Sequence, residues 1–195
     1  MSSKNILVIG DSILDVSVFS SAIGLSLETP TLKAKKTKEV RAPGGAANVA
    51  KNIAALGSKC TFLTVLNDDI FSFWNHELIT KKVFTEERED TIKSRYWIGR
   101  GDSSYKHLQI NQGCGTAVSK STQESIIQFL DQSVENFSCV LFVDYQLGIF
   151  SDLSFVQSLV KICKEKSVPC ISSSQTSANE SQHPGPIRQR LCQHR

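Results

Sequence analysis

The sequence predicts an α/β fold built on a mainly parallel sheet with helices on its faces, and two alternating kinds of stretch carry that prediction. Compact apolar runs at Asn5–Ile9, Cys60–Leu66, Cys139–Val143 and from Val168 to Ile171 have the length and composition of buried strands. Between them, apolar residues recur at helical spacing after Gly44, after Ser121 and through Ser151–Lys166. Strands that alternate with helices in this way pair in parallel, because each helix carries the chain back across the sheet. A third observation places a site on that frame. The first and third of these strand runs end at carboxylates, Asp11 and Asp144, and ligands of open α/β sheets collect outside the carboxyl ends of the strands.

Taken in order, the first run ends in Gly10-Asp11, with Asp15 four residues on. Asp11 reads equally as a site carboxylate or as the cap of a turn. Residues 17–40 lose the helical period, contain Pro30, and alternate polar with apolar from Thr31 to Lys35, which predicts strands leaving the main sheet with lysines guarding an exposed edge. Gly44-Gly45 then opens GGAANVAKNIAALG, where Ala46, Val49, Ala50, Ile53, Ala54 and Leu56 mark one buried helix face. Without a Cβ, the two glycines let backbone N–H groups approach a ligand, and the Asn48 amide both donates and accepts hydrogen bonds, as a sugar hydroxyl does. The same residues also suit a tight loop and a helix closed by Gly57.

After Cys60–Leu66, Asn67-Asp68-Asp69 reads as a turn and helix start, with Phe71, Trp74 and Leu78 on a helical face. Thr91–Gln109 reads as a hairpin turning at Gly99–Asp102, given a positive cast by Arg95, Arg100 and Lys106. Ser121-Thr122-Gln123-Glu124 fits a capping box ahead of an amphipathic helix. The strand ending at Asp144 is followed by Gly148, repeating the pattern of the first strand. From Ser172 onward polar residues take over, and 176–195 reads as a poorly ordered tail.

Composition narrows the function. Among 195 residues, 22 basic and 19 acidic side chains leave a net charge of +3, and the tail holds only Arg188, Arg190 and Arg195, so a nucleic-acid partner is not expected. No run approaches membrane-spanning length and the N-terminal apolar run is too brief for a signal peptide, which predicts a cytoplasmic protein with no membrane partner. The six cysteines form no C-x-x-C pair and read as free thiols rather than as disulfides or zinc ligands.

These motifs resemble the ribokinase-like, or PfkB-type, carbohydrate kinases. The run from Gly44 to Gly57 is similar to the family's N-terminal signature, GDSILD (Gly10–Asp15) to its first strand end, SLETP (Ser26–Pro30) and TIKSRYWIGRG (Thr91–Gly101) to its lid segments, and VDYQLG (Val143–Gly148) to a later strand end. The resemblance spans about residues 4 to 175 and is strongest to heptose 7-phosphate kinases. It implies a three-layer α/β sandwich with a mainly parallel sheet and a small β lid, formed by segments at about 17–40 and 91–110. Residues 1–175 would be the N-terminal part of the kinase domain. It further implies transfer of the γ-phosphoryl of ATP, with magnesium, to a hydroxyl of a sugar or sugar phosphate. Asp15 and Asn48 would hold hydroxyls, Gly44 and Gly45 would let the backbone close on the sugar, Arg95 would face a sugar phosphate, and two lids would pair in a homodimer.

The departures are equally specific. The family places its catalytic base in a Gly-Ala-Gly-Asp run that also forms the anion hole; after Gly148 the one glycine here is Gly185, between prolines. The Asn-x-x-Glu run is missing, since Gln182 lies three residues after Asn179, and Asn67 and Leu147 stand where a glycine and a lysine are expected. The expectation is a fold incomplete at its C-terminus, from truncation, splicing or a gene-model error. Such a chain would have no catalytic base and would lack most of the ATP and magnesium site. The alternative expectation is a non-catalytic module that binds a sugar phosphate or dimerises.

Overall fold

A computed structural model describes residues 5–100, 103–113 and 115–175. The expected turn at Gly101-Asp102, Cys114 and the expected tail at 176–195 lie outside the described residues.

The main sheet contains five parallel strands, β1 (Asn5–Gly10), β4 (Cys60–Leu66), β5 (Ile79–Thr85), β8 (Phe137–Asp144) and β9 (Cys170–Ser174), in the order β5-β4-β1-β8-β9. Burial on both faces explains the unbroken apolar runs. In the central β1, Leu7 and Ile9 enter one core layer and Val8 the other, all fully buried. The first layer is closed by α2 (Lys120–Ser133) and α3 (Leu153–Glu165), which contribute Ile126, Leu130, Phe155 and Leu159. The second is closed by α1 (Ala46–Ala55), whose Ala46, Ala47 and Ala50 let the helix approach β1 and β4 closely. Helices therefore cover both faces, as the alternation predicts. No helix among the described residues is long and apolar enough to cross a membrane.

A second sheet, ordered β3-β2-β6-β7, is formed by β2 (Ser12–Leu25), β3 (Leu32–Gly45), β6 (Ile92–Arg100) and β7 (Ser103–Gln112). The β2/β3 and β6/β7 pairs are antiparallel hairpins joined by a parallel β2/β6 pairing. This is the lid sheet, and a single residue, Asp11, separates β2 from the end of β1.

Two local expectations are corrected. The predicted helix over Phe71, Trp74 and Leu78 is a series of short turns leading into β5. Its stabilising contacts are aromatic: Phe62, Phe71 and Trp74 meet edge to face with centroids 6.1–6.2 Å apart, burying Phe71 without helical hydrogen bonds. The second correction concerns α2, which is capped by Ser119 rather than Ser121. The Ser119 hydroxyl accepts the Thr122 N–H at 3.3 Å and its carbonyl accepts the Gln123 N–H at 2.9 Å, which starts the helix two residues earlier.

Candidate functional site

Side chains alternate across the lid strands, and the register separates two unlike faces. One face carries Asp15 and Ser17 on β2, Lys93 and Arg95 on β6, and Gln109 and Asn111 on β7. The other carries Leu14, Val16 and Val18 on β2, with Ile92 and Tyr96 on β6, and is bordered on β3 by Arg41 and Glu39. A one-residue step along the chain thus moves from polar to apolar.

On the polar face, Arg95 Nη1 donates to Asp15 Oδ1 at 2.5 Å. Both side chains keep contact with solvent, at 31% exposure for Asp15 and 29% for Arg95, so the pair is open to a ligand. Gly44 lies beside it on β3, and a side chain there would run into the Asp15 carboxylate and the Ile13 carbonyl. The absent Cβ therefore leaves the carboxylate its place.

Gly45 is the N-cap of α1 with φ 59° and ψ −135°, a conformation that glycine adopts without strain. A Cβ at this position would strike the Asp11 carbonyl, which accepts the Ala46 N–H at 2.8 Å. Gly45 supplies no side-chain cap and the first turn holds no acidic residue, so the positive end of the helix dipole is left uncompensated. Asn48 is exposed in that first turn.

Asp11 and Asp144 sit at their strand ends but are turned to internal work. Asp11 is 1% exposed. Its Oδ2 accepts the N–H groups of Tyr145 (2.9 Å) and Leu147 (3.1 Å), and its Oδ1 accepts that of Ile149 (3.2 Å). Burial pushes its carboxyl up from the ordinary range, the three N–H groups pull it back, and the neighbouring Asp144 charge adds to the upward push. Asp144 accepts the Gln146 N–H and the Ser174 hydroxyl, each at 2.8 Å. These two acids shape the loop after β8, whereas Asp15 faces outward.

The segment between β5 and β6 ties lid to core. Asp90 accepts the N–H groups of Asn67 and Asp68 at 2.9 and 3.1 Å. Arg88 donates to the Leu147 carbonyl at 2.8 Å, and Glu86 accepts the Ser119 N–H at 3.2 Å. Sequence reasoning named neither these anchors nor Lys93, directly across β2 from Asp15. For Lys93 the signal was available as its spacing two residues from Arg95, which puts both on one strand face.

The five-stranded parallel sheet, its helices and its β lid define a ribokinase-like carbohydrate-kinase fold. Solved structures share it: phosphofructokinase-2 from Escherichia coli in complex with fructose-6-phosphate matches with a TM-score of 0.63 at 17% identity, over 90% of this chain and 56% of that one. By sequence the chain is similar to the bifunctional protein HldE of Hyphomonas neptunium, with 27% identity over 176 residues, and to that of Campylobacter curvus, with 30% over 173. Those alignments cover 87% and 85% of this chain but 35% and 34% of the relatives, so the chain spans about a third of their length. No family model matches it. The chain is a ribokinase-like, carbohydrate-kinase-like protein related to the HldE proteins.

Proposed function

We propose that residues 1–175 are the N-terminal part of a carbohydrate kinase domain and bind a sugar phosphate of the heptose 7-phosphate class between the polar lid face and the N-terminus of α1. The observation that carries this reading is the solvent-accessible Asp15–Arg95 pair beside Gly44. Asp15 has a second carboxylate oxygen for sugar hydroxyls. Arg95 has further N–H donors for a phosphate, with Lys93 adding charge beside it. Asn48 and the backbone at Gly44 and Gly45 supply the remaining polar contacts.

The reaction class proposed for the parent fold is phosphoryl transfer from ATP to a sugar hydroxyl, with magnesium. Among the described residues no group of three or more His, Cys, Asp or Glu side chains is arranged to hold a metal ion, so no step is assigned to one here. Asp11 is committed to three backbone donors, and the sequence holds no Gly-Ala-Gly-Asp run to supply a base for the attacking hydroxyl. The reading is therefore binding without turnover by this chain alone.

Calorimetry with heptose 7-phosphate tests it. Binding is expected to weaken about tenfold in Arg95→Ala, equivalent to about 1.4 kcal/mol, and to vanish in Asp15→Ala. Absence of heat with any heptose or hexose phosphate overturns the binding reading. ATP-dependent phosphorylation by the pure chain, lost in Asp15→Ala, overturns the reading of no turnover.

A second reading, a homodimer through the lid, is favoured by the apolar lid face. Leu14, Val16, Val18, Tyr96 and Phe73 line an open groove of about 530 Å³ that is rimmed by the charged Glu39, Arg41, Asp68 and Asp69, and Leu108 and Ile110 on β7 are 52% and 42% exposed. Light scattering should give twice the chain mass for the wild type and the monomer mass for Val18→Lys. A monomeric wild type refutes it.

A further inference from the structure

The polar face of the lid extends beyond the Asp15–Arg95 pair, and its register lines up a second group of side chains there. Phe19 on β2 is paired with Trp97 on β6, Lys38 on β3 stands opposite Phe19, and Lys106 on β7 stands opposite Trp97. The four make one row across the sheet, with the rings on the two central strands and a lysine on each edge strand. The rings stack with their planes 16° apart and their centroids separated by 6.2 Å. Both aromatics are half-buried and both lysines are exposed. Every position of β7 is exposed, so nothing among the described residues covers the row at that edge. Phe19 lies four positions beyond Asp15, about 13 Å at the rise of a strand.

Charge is segregated to the same face. Lys35, opposite Ser21, joins Lys38, Lys93, Arg95 and Lys106 on it, and the acid that the register places among them, Asp15, is already paired with Arg95. Glu39 stands opposite Val18 on the other face, where Lys36 and Arg41 neutralise it. Composition conceals this arrangement. The 22 basic and 19 acidic residues nearly balance along the chain, which predicts no nucleic-acid partner, but the two-residue period of a strand sorts charges by side.

We propose that this face of the lid binds single-stranded nucleic acid, with unpaired bases stacking on Phe19 and Trp97 and phosphates meeting the lysines on either side.

The row supplies both parts of such recognition. An aromatic ring accepts the face of any base, and an exposed ammonium meets a phosphate without first being stripped from a protein partner. Three inter-strand spacings, about 14 Å, separate Lys38 from Lys106. A nucleic-acid strand crossing the sheet therefore keeps its bases over the central strands while its backbone passes the lysines. A duplex has its bases stacked within and offers the rings no free face. A single sugar phosphate held at the Asp15–Arg95 pair does not reach this row, so the proposal stands apart from the sugar-phosphate reading.

The test is fluorescence anisotropy of the full chain with labelled thymidylate and uridylate oligomers of about ten nucleotides in about 50 mM salt, where electrostatic binding is strong. Raising the salt to about 200 mM should weaken binding about 20–50-fold, as three or four phosphate contacts require. Tryptophan fluorescence should fall as the oligomer saturates the chain and should stay constant with heparin, which has charge but no bases. Trp97→Ala should weaken binding about tenfold or more and abolish the fluorescence change. The double variant Lys38→Ala/Lys106→Ala should keep that change and lower the log–log salt slope by about 1.4. Its two positions are exposed, so it and the wild-type fluorescence decide the matter should Trp97→Ala fail to fold. No binding at the lower salt, equal affinity for a duplex of the same length, unchanged tryptophan fluorescence on binding, or an unchanged salt slope in the lysine variant overturns the proposal.

Discussion

Replacing Asp11 with alanine removes the acceptor for three backbone donors at once, and the structure sets the expected cost. The Ile149 N–H lies in a residue that is 1% exposed and would be left without a partner, at about 1–3 kcal/mol. Tyr145 and Leu147 are half-buried, so water can replace the carboxylate for them at a few tenths to about 1 kcal/mol each. Relief from burying a carboxylate offsets part of this, leaving a net loss of about 2–4 kcal/mol. Asparagine keeps one acceptor oxygen and should cost less. Urea unfolding at 25 °C, followed by the fluorescence of the two tryptophans, gives both values. The pH dependence adds a second check. Because burial holds the folded carboxyl above its unfolded value, the folded chain keeps a proton that the unfolded chain has released, and wild-type stability falls as pH rises through that window. Relative to Asp11→Asn, the wild type should thus lose stability upward from about pH 4 and level off once Asp11 is ionised. A loss below about 1 kcal/mol in Asp11→Ala, or a wild type that gains on Asp11→Asn as pH rises, would refute the reasoning.

Two further substitutions separate backbone from side-chain effects. Gly45→Ala forces a Cβ onto the Asp11 carbonyl at a φ of 59° and should cost about 2–4 kcal/mol by the same unfolding assay. Gly44→Ala meets chiefly the Asp15 carboxylate, a side-chain group, and meets the Ile13 carbonyl less closely, so stability should fall less while sugar-phosphate binding by calorimetry is lost. At the cap of α3, Asp152 is held below the usual carboxylate range by Lys120 first, then by the Ser154 hydroxyl and the Phe155 N–H. Its stabilisation is present above the unfolded value near pH 4 and lost as pH falls below it, so the thermal midpoints of wild type and Asp152→Asn should converge in acid.

The strands easiest to recognise in the sequence, β1, β4 and β8, are buried on both faces, and their unbroken apolar runs follow from that burial. The edge strand β5 was hidden because Lys81 and Lys82 interrupt it and because Phe71, Trp74 and Leu78 imitate helical spacing just before it. Local sequence suggested an outward role for Asp15 through the Gly10–Asp15 motif. For Asp11 it left two roles open, since its three N–H donors lie 134, 136 and 138 residues away and only the folded sheet brings them near. The tie from Glu86, Arg88 and Asp90 escaped notice for the same reason: a charge-rich stretch reads as solvated surface until the loops it grips are in place.

The single residue between β1 and β2 makes the lid a cantilever. β2 runs for 14 residues from Ser12 to Leu25, about 45 Å at the rise of an extended strand. Its fixed end is the Asp11 knot of carbonyl and carboxylate bonds, and the stacked Phe19 and Trp97 rings lie partway along the beam. A rotation of about 5° at that knot would carry the tip about 4 Å, given the length set by the strand rise. The alignment of the sheet over α1 is therefore set at its base, by the hydrogen bonds of one buried carboxylate together with the Arg88 and Asp90 anchors, far from the surface the lid presents.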